Sequence, residues 1–159
     1  VNPPSADMPA LVQQAIDLSN AYGPYTGEQA LVYSCEDIVE REIPSRLVQK
    51  ADMYQVVANI AELCNVDAPQ VQVVRGNPSG LRACTIAEHN TIRFYGMQFP
   101  MLTVLHEIAH VLSNTGHNIT FRNNLVSLVR QQSSVQQASL LHHLYVGTGL
   151  SVDPFQSLT

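Results

Sequence analysis

Leu105-His106-Glu107-Ile108-Ala109-His110-Val111-Leu112-Ser113-Asn114-Thr115-Gly116-His117 is the stretch on which the reading of this chain turns. On an α-helix, His106 and His110 lie one turn apart on the same face, so both imidazoles can reach a single metal ion. Glu107 is offset by about 100° around the helix, beside the histidine pair, where a carboxylate can contact a metal-bound water. Met101, Leu102, Leu105, Ile108, Ala109 and Leu112 recur at helical spacing and would hold the metal-bearing face against a core.

His117 extends the pattern. Catalytic zinc usually takes three protein ligands and keeps a fourth position for water, whereas structural zinc is closed by four, commonly including cysteines. Three histidines with no cysteine nearby point to the open type: one catalytic Zn2+ held by His106, His110 and His117, with Glu107 as general base. The long-spaced metzincin pattern HExxHxxGxxH would put Gly at position 113 and His at position 116. This chain has Ser113 and Gly116, and its histidine arrives one residue later. Gly116 is expected to end the helix at positive φ and to let the chain turn back toward the metal. His142 and His143 are alternative third ligands. Adjacent helical residues point about 100° apart, so at most one of them could aim at the metal. Tyr95, Tyr145 and Arg122 are candidates for stabilising a developing oxyanion, beside the ordinary core or surface roles of such residues.

The 159 residues are the length of one domain with a proper core. An apolar content of 45% with only 13% charged residues is the composition of a globular chain, far from that of a disordered one. The net charge of −5, with Lys50 the single lysine, argues against a strong sequence-independent grip on nucleic acid. Residues 1–50 hold seven acidic and three basic side chains, which reads as a solvated outer surface. Cys35, Cys64 and Cys84 form no CxxC pair, so they read as buried free thiols and favour a reducing, cytoplasmic setting. No apolar run approaches the roughly 18 residues of a membrane span, and no signal segment opens the chain.

Residues 1–9 read as a flexible lead-in, 10–150 as a single domain and 151–159 as an irregular tail. Leu11, Val12, Ala15, Ile16 and Leu18 mark a first helix ending before Tyr22-Gly23-Pro24. A second spans residues 28–42. A third is expected from an N-cap at Ser45 to residue 65, with Leu47, Ala51, Tyr54, Val57, Ala58, Ala61 and Leu63 on its buried face. Val71-Gln72-Val73-Val74 reads as a strand followed by a turn over residues 76–80. Residues 81–87 and 91–95 read as two more strands around a Glu88-His89-Asn90 hairpin tip, where His89 is a solvated turn residue. After the HExxH helix, helices are expected over residues 118–131 and 135–145. The fold class is therefore α+β: N-terminal helices, a small sheet of about three strands, the HExxH helix and C-terminal helices.

The run His106-Glu107-Ile108-Ala109-His110, joined to Gly116-His117-Asn118-Ile119-Thr120-Phe121, resembles SprT-like zinc metallopeptidases, in which HExxH is followed by a GHGxxF-type segment. The closer likeness is to small metallohydrolase-type proteins of actinobacteria and their phages, and it covers roughly residues 25–129. Those proteins share the order of a helical part, a strand ending like Val73-Val74-Arg75, a hairpin and the HExxH helix. The resemblance implies a minimal zincin-like fold, zinc on His106, His110 and His117, Glu107 as base, and a peptide or protein substrate aligned along residues 91–95. Asn118 replaces the second Gly of the GHG pattern and no cysteine zinc ribbon follows, so the DNA-directed role of larger SprT-like proteins is not carried over. A non-catalytic, zinc-stabilised binding or regulatory module on the same scaffold is the alternative reading.

Overall fold

The computed structural model describes residues 7–76 and 81–156. The chain is α+β: among the described residues there are six α-helices, a two-stranded sheet and a three-stranded sheet. None of these helices is long and apolar enough to cross a membrane. The parts of the expected lead-in, turn and tail that fall at residues 1–6, 77–80 and 157–159 lie outside the described residues. The described chain groups into two compact units, a helical one from residues up to Pro44 and from His117 onward, and a mixed one over Ser45–Gly116.

The helical unit holds α1 (Met8–Asn20), α2 (Gly27–Glu42), α5 (Ile119–Gln132) and α6 (Val135–Gly147). α1 packs on α2, and α6 lies against α1, α2 and α5. α5 and α6 begin at side-chain caps: Asn118 Oδ1 accepts the Phe121 N–H at 3.2 Å, and Ser134 Oγ accepts the Gln137 N–H at 3.0 Å. Each satisfies one of the orphan donors of a helix start. Buried Gln137 reaches from α6 to donate to the Ile43 carbonyl at the end of α2. Gly149, at φ +86°, supplies the left-handed turn after α6.

The mixed unit holds β1 (Leu47–Gln49), α3 (Met53–Leu63), β2 (Gln70–Val74), β3 (Ala83–Ile86), β4 (Thr91–Tyr95), β5 (Gln98–Pro100) and α4 (Met101–Ser113). β4 is the centre of the three-stranded sheet, parallel to β2 and antiparallel to β3. β1 pairs antiparallel with β5. The β3–β4 hairpin closes through a 3₁₀ turn over Ala87–His89 and Asn90 at φ 45°, with His89 exposed as expected. α4 packs against β3 and β5, and Phe94 and Phe99 meet in the core with ring centroids 5.2 Å apart.

Three expectations need correction. The third helix does not start at Ser45: residues 47–49 are β1, a 3₁₀ turn covers Lys50–Asp52, and α3 begins only at Met53. Its buried face is accordingly Met53, Val57, Ile60 and Ala61, while Leu47, Tyr54 and Leu63 are exposed. Ser45 does cap a helix, but its Oγ accepts the Leu102 N–H at 3.3 Å, in the first turn of α4. Gly116 is not the left-handed residue behind α4 and does not have positive φ. That position is Asn114, at φ 51°, whose N–H donates to the His110 carbonyl. Finally, the three cysteines are free, but only Cys35 is buried, and its burial pushes the thiol pKa up to about 12.

The α1–α6 contact depends on Gly147, where a Cβ would fall 2.4 Å from Val12 Cγ2. Val12 sits in a helix and has little χ1 freedom with which to withdraw. Gly147→Ala should therefore lower unfolding free energy by about 1–3 kcal/mol, measured by urea denaturation. In a Val12→Ala background the same change should be neutral or stabilising, because alanine is the better helix former.

Candidate metal centre

α4 carries two of its polar residues at buried positions. Val104, Leu105, Ile108 and Ala109 are buried around the helix, and His106 and Glu107 are only 5% and 6% exposed among them. The expected apolar stripe is present, but in its first two turns the helix is enclosed nearly all round. Polar groups in such a setting require defined partners.

The i, i+4 spacing brings His110 Nε2 to 3.2 Å from His106 Nε2. Two nitrogens each about 2.0–2.1 Å from a tetrahedral zinc would stand about 3.3 Å apart, so the pair has ligand spacing. His110 Nδ1 lies 2.9 Å from the Thr115 carbonyl. A carbonyl only accepts, so Nδ1 carries the proton, and the neutral ring presents the Nε2 lone pair. Burial, and then the neighbouring His106, push the His110 pKa down to about 4 against a smaller opposing effect of the Thr115 hydrogen bond. The ring is thus neutral at physiological pH, the state that binds metal.

Glu107 is held from the sheet. Thr85 Oγ1 on β3 lies 2.6 Å from Glu107 Oε2 and 3.2 Å from the Glu107 carbonyl, and donates its hydrogen to the carboxylate. Burial raises the Glu107 pKa above its ordinary value, opposed by His106 and by the Thr85 hydrogen bond. Thr85 was invisible to sequence reasoning. One threonine in a short strand carries no motif, and only the packing of β3 on α4 brings it to the carboxylate.

His117 opens the helical unit directly before the N-cap of α5. Its ring meets Phe121 and Tyr33, with centroids 5.0 and 5.1 Å away. Among the described residues, His106, His110 and His117 form a group that could hold a metal ion, their ligand nitrogens all within 4.8 Å of one another. The donor set is all imidazole, which suits zinc and other borderline divalent ions.

His142 and His143 are not members of that group. His142 Nε2 donates to the Asp153 carbonyl at 2.8 Å, and His143 Nδ1 lies 2.7 Å from the Ser139 carbonyl, so both serve α6 and its surroundings. Tyr145 is fully buried in the helical unit, with no hydrogen-bond partner for its hydroxyl among the described residues. Arg122 is buried there too and bonded to main-chain carbonyls. Tyr95 on β4 is partly buried, with its hydroxyl 4.0 Å from Cys84 Sγ. Comparison with protein-family models, curated proteins and solved structures returned no match.

Two outcomes follow for protein stripped of metal. Glu107→Gln should melt at a higher temperature than wild type at pH 7, since it removes a buried charge and keeps an acceptor for Thr85; an equal or lower melting temperature counts against a strained carboxylate. For His110, whose folded pKa lies below the unfolded value of about 6.5, the stability contribution is complete above pH 6.5 and is lost as pH falls toward about 4. Denaturant titrations across that window should show stability falling with acid, less steeply in His110→Asn.

Proposed function

We propose that this chain is a zinc-dependent amide hydrolase, a metallopeptidase of minimal zincin-like, SprT-like type. The observation that carries the reading is the grouping of His106, His110 and His117 beside a buried carboxylate with a raised pKa. Three neutral ligands suit a site whose fourth position takes water, and no cysteine belongs to the set. Zinc bound there would lower the pKa of its coordinated water toward about 7 and polarise a substrate carbonyl.

Glu107 acts as general base. Its Oε2 is engaged by Thr85, so Oε1 is the oxygen that takes a proton from the attacking water and returns it to the leaving amine. Its raised pKa matches that two-way role, since a base of ordinary carboxylate strength would hold the proton poorly at neutral pH. Thr85 keeps the carboxylate in one orientation.

The substrate strand is reassigned. β4, the expected aligner, has both edges occupied by β2 and β3. β3 is a terminal strand of the sheet and carries Thr85, so an extended peptide would pair along Ala83–Ile86, within reach of Glu107. The acidic net charge supports a protein or peptide substrate over nucleic acid, and the free cysteines fit a cytoplasmic protein.

Protein purified without added metal should contain one zinc per chain by elemental analysis, and His110→Ala should lose it. Glu107→Gln should keep the zinc while losing at least about 10²-fold in turnover of a peptide found by library screening. Undiminished turnover would remove Glu107 as base. Zinc retention with no cleavage by wild type, together with a large loss of thermal stability on chelation, would favour a non-catalytic zinc-stabilised module.

A further inference from the structure

The helical unit contains a buried charge that the proposed hydrolysis does not use. Arg122 is 2% exposed, one of the largest fully buried side chains of the described chain. Burying a guanidinium is unfavourable unless its donors are satisfied. Its position also runs against local preference: Arg122 lies in the first turns of α5, where the helix dipole disfavours a cation. Neither helix formation nor core packing accounts for an arginine there.

Its partners do. Arg122 Nη1 donates to the His117 carbonyl at 2.6 Å, Nε donates to the Ser151 carbonyl at 2.8 Å, and Nη1 also lies 3.3 Å from Glu28 Oε2. The Glu28 side chain is 63% exposed, so that ion pair is screened by water. The short bonds to the two carbonyls are the ones protected inside. From these contacts we infer that Arg122 is the positioning residue for His117, fixing the main chain from which the third metal ligand projects. The inference rests on the assignment of His117 as a ligand.

Two further restraints complete the clamp. Asn118, the N-cap of α5, ties the residue after His117 to the helix start, and Phe121 and Tyr33 flank the imidazole. Arg122 holds the His117 carbonyl, while the rings limit where the side chain can swing. Arginine suits the task because its planar fork serves carbonyls lying in two directions at once, which a lysine ammonium on a flexible stem does less well. The same fork ties the ligand's backbone to the segment following α6, through Ser151.

Partners that orient a metal ligand from outside the coordination sphere typically change metal affinity by about 10–100-fold when removed. The test is a zinc dissociation constant, from competition with a chromophoric chelator, for the full chain as wild type, Arg122→Met, Arg122→Lys, His117→Ala and the His117→Ala/Arg122→Met double variant. Circular dichroism and thermal melts of each accompany it. Arg122→Met should weaken zinc by about 10–100-fold, Arg122→Lys by less, and Arg122→Met should add nothing once His117 is alanine. A folded Arg122→Met that binds zinc within about threefold of wild type overturns the inference, as does an equal loss in the presence and absence of His117, the mark of a merely structural arginine. If Arg122→Met does not fold, Arg122→Lys decides: wild-type affinity refutes, a His117-dependent loss supports. Failure of the functional reading shows separately, as wild type without stoichiometric zinc or His117→Ala with undiminished affinity, and either removes the ligand that Arg122 would position.

Discussion

Two imidazole nitrogens held 3.2 Å apart on an enclosed helix are the constraint around which the mixed unit is built. Nothing about helix propensity favours such an arrangement. His106 and Glu107 have lost most of their water, and the burial that pushes the His110 pKa down pushes the Glu107 pKa up. The neighbouring elements answer those costs individually: β3 supplies Thr85 to the carboxylate, and the segment after α4 supplies the Thr115 carbonyl to His110. Each hydrogen bond fixes an orientation as well as satisfying a polar group, which is how a buried site becomes a preorganised one.

The same constraint explains why α4 is not an ordinary amphipathic helix. Its first turn is secured by Ser45 Oγ on the Leu102 N–H and by the Met101 N–H donating to the Arg46 carbonyl. The short β1–β5 pair therefore sets where α4 begins, and hence where His106 falls along the helix axis. Apolar neighbours such as Leu105 and Ile108 then fix its rotation. A carboxylate at the position after His106 meets Thr85 only if both the start and the rotation are set.

What could be read beforehand was whatever depends on local spacing. The HExxH helix, the Asn90 hairpin and the Asn118 helix start follow from residues within a few positions of one another, and the structure has them. What could not be read depends on partners far along the chain. Leu47-Val48-Gln49 is too short to display a period, and its strand character comes from pairing with Gln98, Phe99 and Pro100. The parallel β2–β4 pairing likewise has no local signature, so the central place of residues 91–95 in the sheet was not legible from their sequence. Arg122 and Thr85 belong to the same category, since single polar residues acquire a role only from what folding places beside them.

The eight residues from His110 to His117 carry the densest set of obligations in the chain. Asn114 adopts positive φ and returns its N–H to the His110 carbonyl, ending α4. Thr115 then turns its carbonyl onto the His110 ring, so the helix stop and the tautomer of a candidate ligand are fixed by adjacent residues. Gly116 leaves the link free of a side chain, and His117 follows just before Asn118 starts the next helix. An asparagine stop at this point, with its short polar side chain tolerating the left-handed region, moves the reversal ahead of Gly116. The metzincin pattern has its glycine at position 113; the left-handed residue here, Asn114, stands one position later, and His117 follows at the same one-residue offset.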